Sequence, residues 1–382
     1  MNFDLSEEQQ LLKDSAWRYG ADHGEFTAWR ARVERGDAYD AASWKHMADL
    51  GWLMLNIPED DGGLGSGPVE TMVVAEAVGR YLMLEPFVST GVIAPALLTA
   101  ASETLRAELM AGLAEGKVVI ALADAEPNGR FDLNRIATRA EAVEGGFRLK
   151  GEKSHALDGG AADWFIIPAR TAGADDSEDG VSLFLVPAET SGLTVMRSRA
   201  MDNRHNASLK LDGVVAPAAN LVGGLGEGFS LLRDAVDRGV VARLAEAVGA
   251  MDAVREMTME YLKTRKQFGQ TLGAFQALQH RAVDMAIACE EARSMMYLAT
   301  IALSGPAAER RRVIAAAKAR VGQTSLYVGR QSVQLHGGVG FTEELAVAHY
   351  LKRLIMIDMA FGNADHHRSE LASSLRARAV AA

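Results

Sequence analysis

The chain has 382 residues, 48 % hydrophobic and 24 % charged, a globular composition with enough apolar material for more than one core. Its net charge of −10 argues against nucleic-acid binding, and a single cysteine, Cys289, excludes an internal disulfide and a cysteine-based metal cluster. The acidic start M-N-F-D-L-S-E-E-Q-Q carries no basic, apolar leader, and no apolar run reaches the roughly 20 residues a bilayer span needs, so a cytoplasmic protein with no membrane partner is expected.

Ser6 with Gln9 three residues on fits a capping box, opening a helix with Leu11, Leu12 and Ala16 on one face. Trp44, Met47 and Leu50 mark a second amphipathic helix and residues 69–84 a third. Between them I-P-E-D-D-G-G-L-G-S-G-P, at 57–68, reads as a loop whose glycines admit other backbone closely. Helical sequence continues to about Glu115. Short β-like runs follow at 118–122, 146–149, 164–169, 181–186, 193–196 and 208–211, separated by Gly, Asp, Asn and Pro. They predict a compact antiparallel barrel or sandwich, with T-A-G-A-D-D-S-E-D-G at 171–180 as an exposed hairpin loop. After G-G-L-G-E-G-F at 223–229 the helical period returns, with helices predicted at 229–262, 274–303, 307–336 and 343–360. Their Met and Leu stripes read as core of a bundle that other subunits complete.

Two segments suit a dinucleotide pyrophosphate, which needs cationic forks and close backbone approach. In R-K-Q-F-G at 265–269, Arg265 can give bidentate charge-assisted bonds where a lysine would offer a point charge. In Q-L-H-G-G-V-G-F-T-E-E at 334–344, Gly337, Gly338 and Gly340 leave backbone N–H groups unobstructed, and Gln334 can hydrogen-bond an adenosine or phosphate oxygen.

The order α, β, α resembles the acyl-CoA dehydrogenase superfamily over essentially the whole chain. The resemblance is carried by I-P-E-D-D-G-G-L-G at 57–65, A-E-P at 125–127, K-G-E-K at 150–153 and G-x-G-E-G-F at 224–229. It continues in R-K-Q-F-G-x-x-L-x-x-F-Q-x-x-Q at 265–279 and Q-L-H-G-G-V-G-F at 334–341. Within the superfamily the chain is most similar to small subunits described as pimeloyl-CoA dehydrogenase, related to paired subunits acting on dicarboxylyl, steroid-side-chain or ring-derived CoA thioesters. The resemblance implies an α+β fold: an N-terminal helical domain (1–117), a middle β-barrel (118–222) and a C-terminal helical bundle (223–382) for FAD binding and oligomerisation. It implies FAD as cofactor, α,β-dehydrogenation of an acyl-CoA and an electron-transferring flavoprotein as acceptor. In the family both nucleotide segments reach across a subunit interface to an FAD lodged mainly in the neighbour, with Phe268 packing on the nucleotide.

The flavin-facing half departs from the family pattern. Where the family has a Thr before Glu-Pro and a Ser soon after, this chain has Ala125 and Phe131. On the following strand, K-S-H-A-L-D-G puts His155 at an aromatic position, where a packed or hydrogen-bonded barrel histidine is expected, and Leu157 at a hydroxyl position. Dehydrogenation beside a thioester also needs a carboxylate to remove the Cα proton as hydride leaves Cβ. Phe361 stands where the family has that Glu, followed by Gly362 and Asn363, and Gly239 stands at the alternative base position. Asp358, one turn before Phe361, is the available substitute, although a capping or surface carboxylate is the simpler reading. Asp365, His366 and His367 cluster, but no metal site is expected there. The losses predict a subunit of a hetero-oligomer, in an α2β2 arrangement with a homologous subunit that brings the base. A self-sufficient homo-oligomer with a relocated base, a flavin monooxygenase and a non-enzymatic scaffold subunit are the alternatives.

Overall fold

The structure, a computed structural model, describes residues 4–381, with side chains to residue 376. The helices before the sheet are α1 (Glu7–His23), α2 (Phe26–Arg35), α3 (Ala41–Asp49), α4 (Pro68–Arg80), α5 (Ala94–Leu98) and α6 (Glu103–Ala114). The capping box is present. The Gln9 N–H donates to Ser6 Oγ at 3.2 Å and the Ser6 N–H to Gln9 Oε1 at 3.0 Å. The buried face of α1 runs through Ala16, Tyr19 and Gly20, so Leu11, 69 % exposed, lies off the stripe expected for it. The 57–65 loop closes on itself: a Cβ at Gly63 would meet Ile57 O at 2.1 Å, which reserves that position for glycine.

Strands β1 (Ile120–Leu122), β2 (Arg139–Val143), β3 (Gly146–Ala156), β4 (Trp164–Arg170), β5 (Val181–Pro187), β6 (Leu193–Arg199), β7 (His205–Pro217) and β8 (Leu221–Val222) form one sheet. Pairing follows β6-β7-β3-β2-β4-β5-β8, and among the described residues this path does not close into a hydrogen-bonded ring. The strands still share one core, in which Leu149, Phe165, Ile167, Phe184, Leu209 and Val214 are buried together. Not every pairing is antiparallel, as the sequence had suggested. β1 lies parallel to β4, and the long connection between them, containing β2 and β3, supplies the crossover that parallel strands require. The 171–180 segment is an ordered loop gathered by Arg170, whose guanidinium donates to the carbonyls of Asn134, Ile136, Asp175, Ser177 and Asp179.

The C-terminal helices are α7 (Phe229–Thr264), α8 (Gln276–Ala302), α9 (Ala307–His336), α10 (Ala346–Met359) and α11 (Ala364–Ala381). A two-stranded hairpin, β9 (Lys266–Gln267) and β10 (Gln270–Thr271), joins α7 to α8. By contacts the chain forms two compact units. One comprises the chain up to Ala31, Pro68–Met83 and everything from Val240; the other comprises Arg32–Gly67 and Leu84–Gly239.

The first unit is organised by a backbone-to-backbone crossing of α4 and α7. A Cβ at Gly79 would fall 1.8 Å from Glu246 O, and one at Gly249 would fall 1.9 Å from Glu76 O. At that crossing the Glu246 carboxylate is fully buried, receiving Arg243 at 2.6 Å and Arg353 at 2.9 Å, while Arg353 also donates to Met83 O at 3.0 Å. Arg293 of α8 adds a bond to Glu76 at 2.7 Å and one to Asp252. Buried Lys318 of α9 donates to the carbonyls of Ile357 and Asp358 at the end of α10.

Glu246→Gln leaves two buried guanidiniums facing a neutral amide and is expected to cost about 3–5 kcal/mol in urea unfolding. Asp49→Asn breaks the exposed Lys45–Asp49 pair on α3 and is expected to cost under about 0.5 kcal/mol. Burial pushes the Lys318 ammonium from its ordinary 10.5 down to about 8. A base whose folded pKa lies below its unfolded value makes the unfolded chain the better proton binder between the two. Its penalty is absent above 10.5 and grows as pH falls toward 8. Unfolding free energies at pH 8 and 10.5 should therefore show wild type gaining on Lys318→Met by roughly 1–3 kcal/mol as pH rises. A flat difference would remove Lys318 as a buried titrating group.

Candidate functional site

Helix α7 carries Arg265 one residue beyond its end, and the chain reverses at once through the β9–β10 hairpin, in which Gln267 pairs with Gln270. The two central residues, Phe268 at φ +54° and Gly269 at φ +81°, are both left-handed, as a two-residue turn of the primed type requires. Asn-Gly is the sequence that suits such a turn; a phenylalanine there is strained. Little within the chain compensates for the strain. Phe268 is 89 % exposed, with an edge contact to Phe275 at 6.2 Å between ring centres.

The G-G-V-G-F turn follows α9. Gly337 takes φ +65° and donates its N–H to Gln334 O. Gly338 has no positive φ, and a Cβ there would meet nothing within 4 Å, so neither its own conformation nor packing in this chain requires glycine. Gln334, Gly337 and Gly338 are exposed. Arg265 and Val339 of this turn line one cavity of about 710 Å³, so two motifs far apart in sequence meet in space. The other walls include Phe26, Tyr261, His336 and Val347, none of which sequence reasoning had assigned a role. Two of them carried a signal: Tyr261 stands one helical turn before Arg265, and His336 lies inside the quoted Q-L-H-G-G. Phe268, Gln334, Gly337 and Gly338 do not line the cavity but remain on the open surface.

At the expected base position Phe361 is half-buried at φ +56°, followed by Gly362 at φ +100°. A bulky residue in this region is a steric outlier, held by its surroundings. Here His367 Nε2 donates to Phe361 O at 2.9 Å, and His367 Nδ1 lies 3.3 Å from Glu370. Asp358 is buried, its Oδ1 accepting the Ala364 N–H at 3.1 Å at the start of α11, and a Cβ on Gly322 would collide with the same oxygen at 2.2 Å. The carboxylate is a packed cap. Gly239 lies within α7 and has no side chain to offer. His366 and His367 gather around Glu370 and Asp365 pairs with Arg368; no group able to hold a metal ion occurs among the described residues.

In the sheet unit, the Ser154 N–H donates to Ala125 O at 2.8 Å and joins the A-E-P loop to β3 beside His155. Glu126 of that loop is structural: its carboxylate takes Lys153 Nζ at 2.7 Å and the N–H groups of Ala137 and Thr138. Lost hydration works against the charge, but Lys153 and those donors outweigh it and hold the carboxyl below its usual range. Phe131 and Leu157 are half-buried. His155 is exposed rather than packed, held at φ +60° where the β3–β7 register slips, with Nε2 3.5 Å from Asn206 Nδ2. Of the two expectations for it, packed or hydrogen-bonded, the contact with Asn206 meets the second. Asp124 stands close enough to feel the charges of Lys153 and His155; loss of hydration nonetheless raises its carboxyl above the ordinary range.

Three family models match in succession: the acyl-CoA dehydrogenase N-terminal domain over residues 6–117, the middle domain over 121–214 and the C-terminal domain over 226–375. Probable acyl-CoA dehydrogenase YngJ of Bacillus subtilis is 29 % identical, over 98 % of this chain and 100 % of its own. The FAD complex of PigA superposes with a TM-score of 0.88 at 26 % identity, over 99 % of this chain and 100 % of that one. The ChsE4-ChsE5 complex from Mycobacterium tuberculosis gives a TM-score of 0.88 at 25 % identity, over 98 % and 99 %. No helix among the described residues is long and apolar enough to cross a membrane. With three domain models in their family order and the same fold across whole relatives, the chain belongs to the acyl-CoA dehydrogenase family.

Proposed function

We propose that this chain is the base-lacking subunit of a hetero-oligomeric, FAD-dependent acyl-CoA dehydrogenase. In this reading it lends Arg265, Phe268, Gln334, Gly337 and Gly338 to an FAD held mainly by a homologous partner. The observation that carries the reading is an asymmetry. Phe268 and Gly338, within the two nucleotide segments, serve little inside this chain, whereas Phe361 stands where the family pattern has a proton acceptor. Phe268 stays strained and 89 % exposed, and Gly338 stays open where its own chain has no use for glycine. Both make sense when an outside group approaches them.

The residues suit the nucleotide end of FAD. Arg265 offers a fork to a pyrophosphate, the open backbone at Gly337 and Gly338 admits close approach, and Phe268 offers a ring face. When bound, FAD supplies the hydride acceptor for oxidation of the thioester. Phe361 contributes no proton transfer and fills the space a carboxylate would need, so the Cα proton must go to a group outside this chain. A relocated base at Asp358 is opposed by its burial and its commitment to the start of α11.

A subunit partner is supported by a bare apolar face on α8. Val283, Ile287, Leu298 and Ile301 are all 43 % exposed or more, and at 3.6 residues per turn they fall within a stripe of roughly 60°. A solved relative, the ChsE4-ChsE5 complex, is itself an assembly of two named chains. An α2β2 arrangement, an acyl-CoA substrate and an electron-transferring flavoprotein as acceptor complete the reading on family resemblance.

Three substitutions separate this role from folding. Gly338→Ala should change unfolding free energy by less than about 0.5 kcal/mol while lowering FAD affinity of the native complex on the order of tenfold. Phe268→Asn should steady the hairpin by about 1 kcal/mol, read by hydrogen exchange at 266–271, and still weaken FAD. Arg265→Ala should cost a roughly tenfold to hundredfold loss of FAD affinity. Unchanged flavin affinity in all three would remove this surface from the cofactor site.

The chain purified alone with excess FAD should show little or no reduction of an artificial acceptor by a panel of acyl-CoA thioesters. A missing general base alone accounts for about 10²–10⁴-fold. Phe361→Glu should not restore full activity, because Ala125, Phe131 and Leu157 still withhold the flavin-edge hydroxyls. Robust turnover by the pure homo-oligomer would overturn the reading.

A further inference from the structure

Helix α2 is anchored by one buried side chain, Trp29, whose indole N–H donates to Leu82 O at 2.9 Å. His349, in the first turn of α10, meets that anchor edge-on at 4.8 Å between ring centres and lies 5.4 Å from the ring of Phe26. It is 5 % exposed, and neither of its ring nitrogens has a hydrogen-bond partner. A buried polar ring without a hydrogen bond is costly, and for an imidazole the cost depends on pH. The charges facing it come from α2, from α10 and from the turn before α10. Glu343 of that turn has Oε2 3.0 Å from His349 Nε2 and accepts from Lys352 Nζ of α10 at 2.7 Å, while Arg30 of α2 adds a second cation. Loss of hydration holds the imidazole below its ordinary 6.5, with Lys352 and Arg30 adding to the effect and Glu343 opposing it.

Glu343 is also the tie of this turn to the helix. α10 starts after Leu345 without a side-chain cap, and among the described residues the polar contacts from 342–345 to α10 are those of Glu343. From Tyr350 onward the helix is fixed separately, by Tyr350 on Arg80 O and by Arg353 on Glu246. Its first turn is left to the ring box, and Phe26, Ala346 and Val347 on the two sides of that box line the same cavity.

We infer that His349 is an acid-operated latch between α2 and the start of α10. As a neutral ring it packs on Trp29 and Phe26 and docks that end of the helix. On taking a proton from water it leaves the rings for Glu343 and solvent, loosening that side of the cavity. A base whose folded pKa lies below its unfolded value contributes fully above the unfolded value and loses that contribution as pH falls. The docked form is therefore complete above pH 6.5 and weakens below it. Glu343, held below its ordinary 4.5 first by Lys352, stays charged through this window and leaves His349 as the titrating member of the pair.

Hydrogen exchange of the full chain at about pH 7.5 and about pH 5.5, corrected for intrinsic exchange chemistry, reads the docking. The amides of 26–31 and 346–352 should open on the order of tenfold more often at the lower pH. In His349→Phe, which keeps a ring and removes the titration, the two pH values should give the same opening. Equal pH dependence in wild type and variant, or none in wild type, would overturn the latch. Should the variant not fold, the His349 imidazole followed by NMR in wild type decides. Titration below 6.5 with a concurrent shift of the Trp29 indole supports the latch; titration at or above 6.5, or a silent Trp29, overturns it.

Discussion

One buried carboxylate organises the helical unit. Glu246 sits where α4 and α7 cross with only glycine between their backbones, and it is neutralised by guanidiniums from its own helix and from α10. An ion pair taken out of water is stable only when its partners are complete, and here they are held by the helices that must be fixed relative to one another. Met83 O binds Arg353, the Tyr350 hydroxyl binds Arg80 O, and Arg293 ties in α8 through Glu76. Residues at and just beyond the end of α7, Tyr261 and Arg265, and at the start of α10, Ala346 and Val347, line one cavity.

Two strained residues mark the ends of the candidate chemistry, and they differ in kind. Phe268 spends its strain projecting outward, with little in the chain to reward it. The turn at Phe361 is supported from within, by His367 on its carbonyl and Glu370 behind His367. Strain held in place by specific partners is usual at functional sites, because an unsupported outlier would relax. The turn at Phe361 is thus fixed by side chains of α11.

Much of this was legible in the sequence, for definite reasons. The capping box at Ser6 and Gln9 and the long helices after residue 223 follow from local rules that packing reinforces. Arg265 stood out because its motif is local, and it lines one cavity with Val339 of the turn after α9. The strand at 139–143, R-A-E-A-V, was missed because its exposed, charged positions carry little β signal; it is held by pairing with β3. Helix α11 was missed because a polar, weakly amphipathic segment after a glycine turn reads as a tail. Leu11 was misjudged because burial depends on which face the neighbours cover, while His155 is hydrogen-bonded but not packed, at a bulge that no propensity encodes. Tyr261 and His336 lay in or beside quoted motifs, but their stacking needs two helices brought together.

The account turns on this chain serving a flavin that another chain houses. Flavin stoichiometry of the native complex, measured by absorbance after release and set against the count of each chain, addresses this most directly. The account predicts one FAD for each pair of unlike chains and none retained by this chain when it is purified alone. One FAD on every copy of this chain, in a complex containing no other subunit, would contradict it.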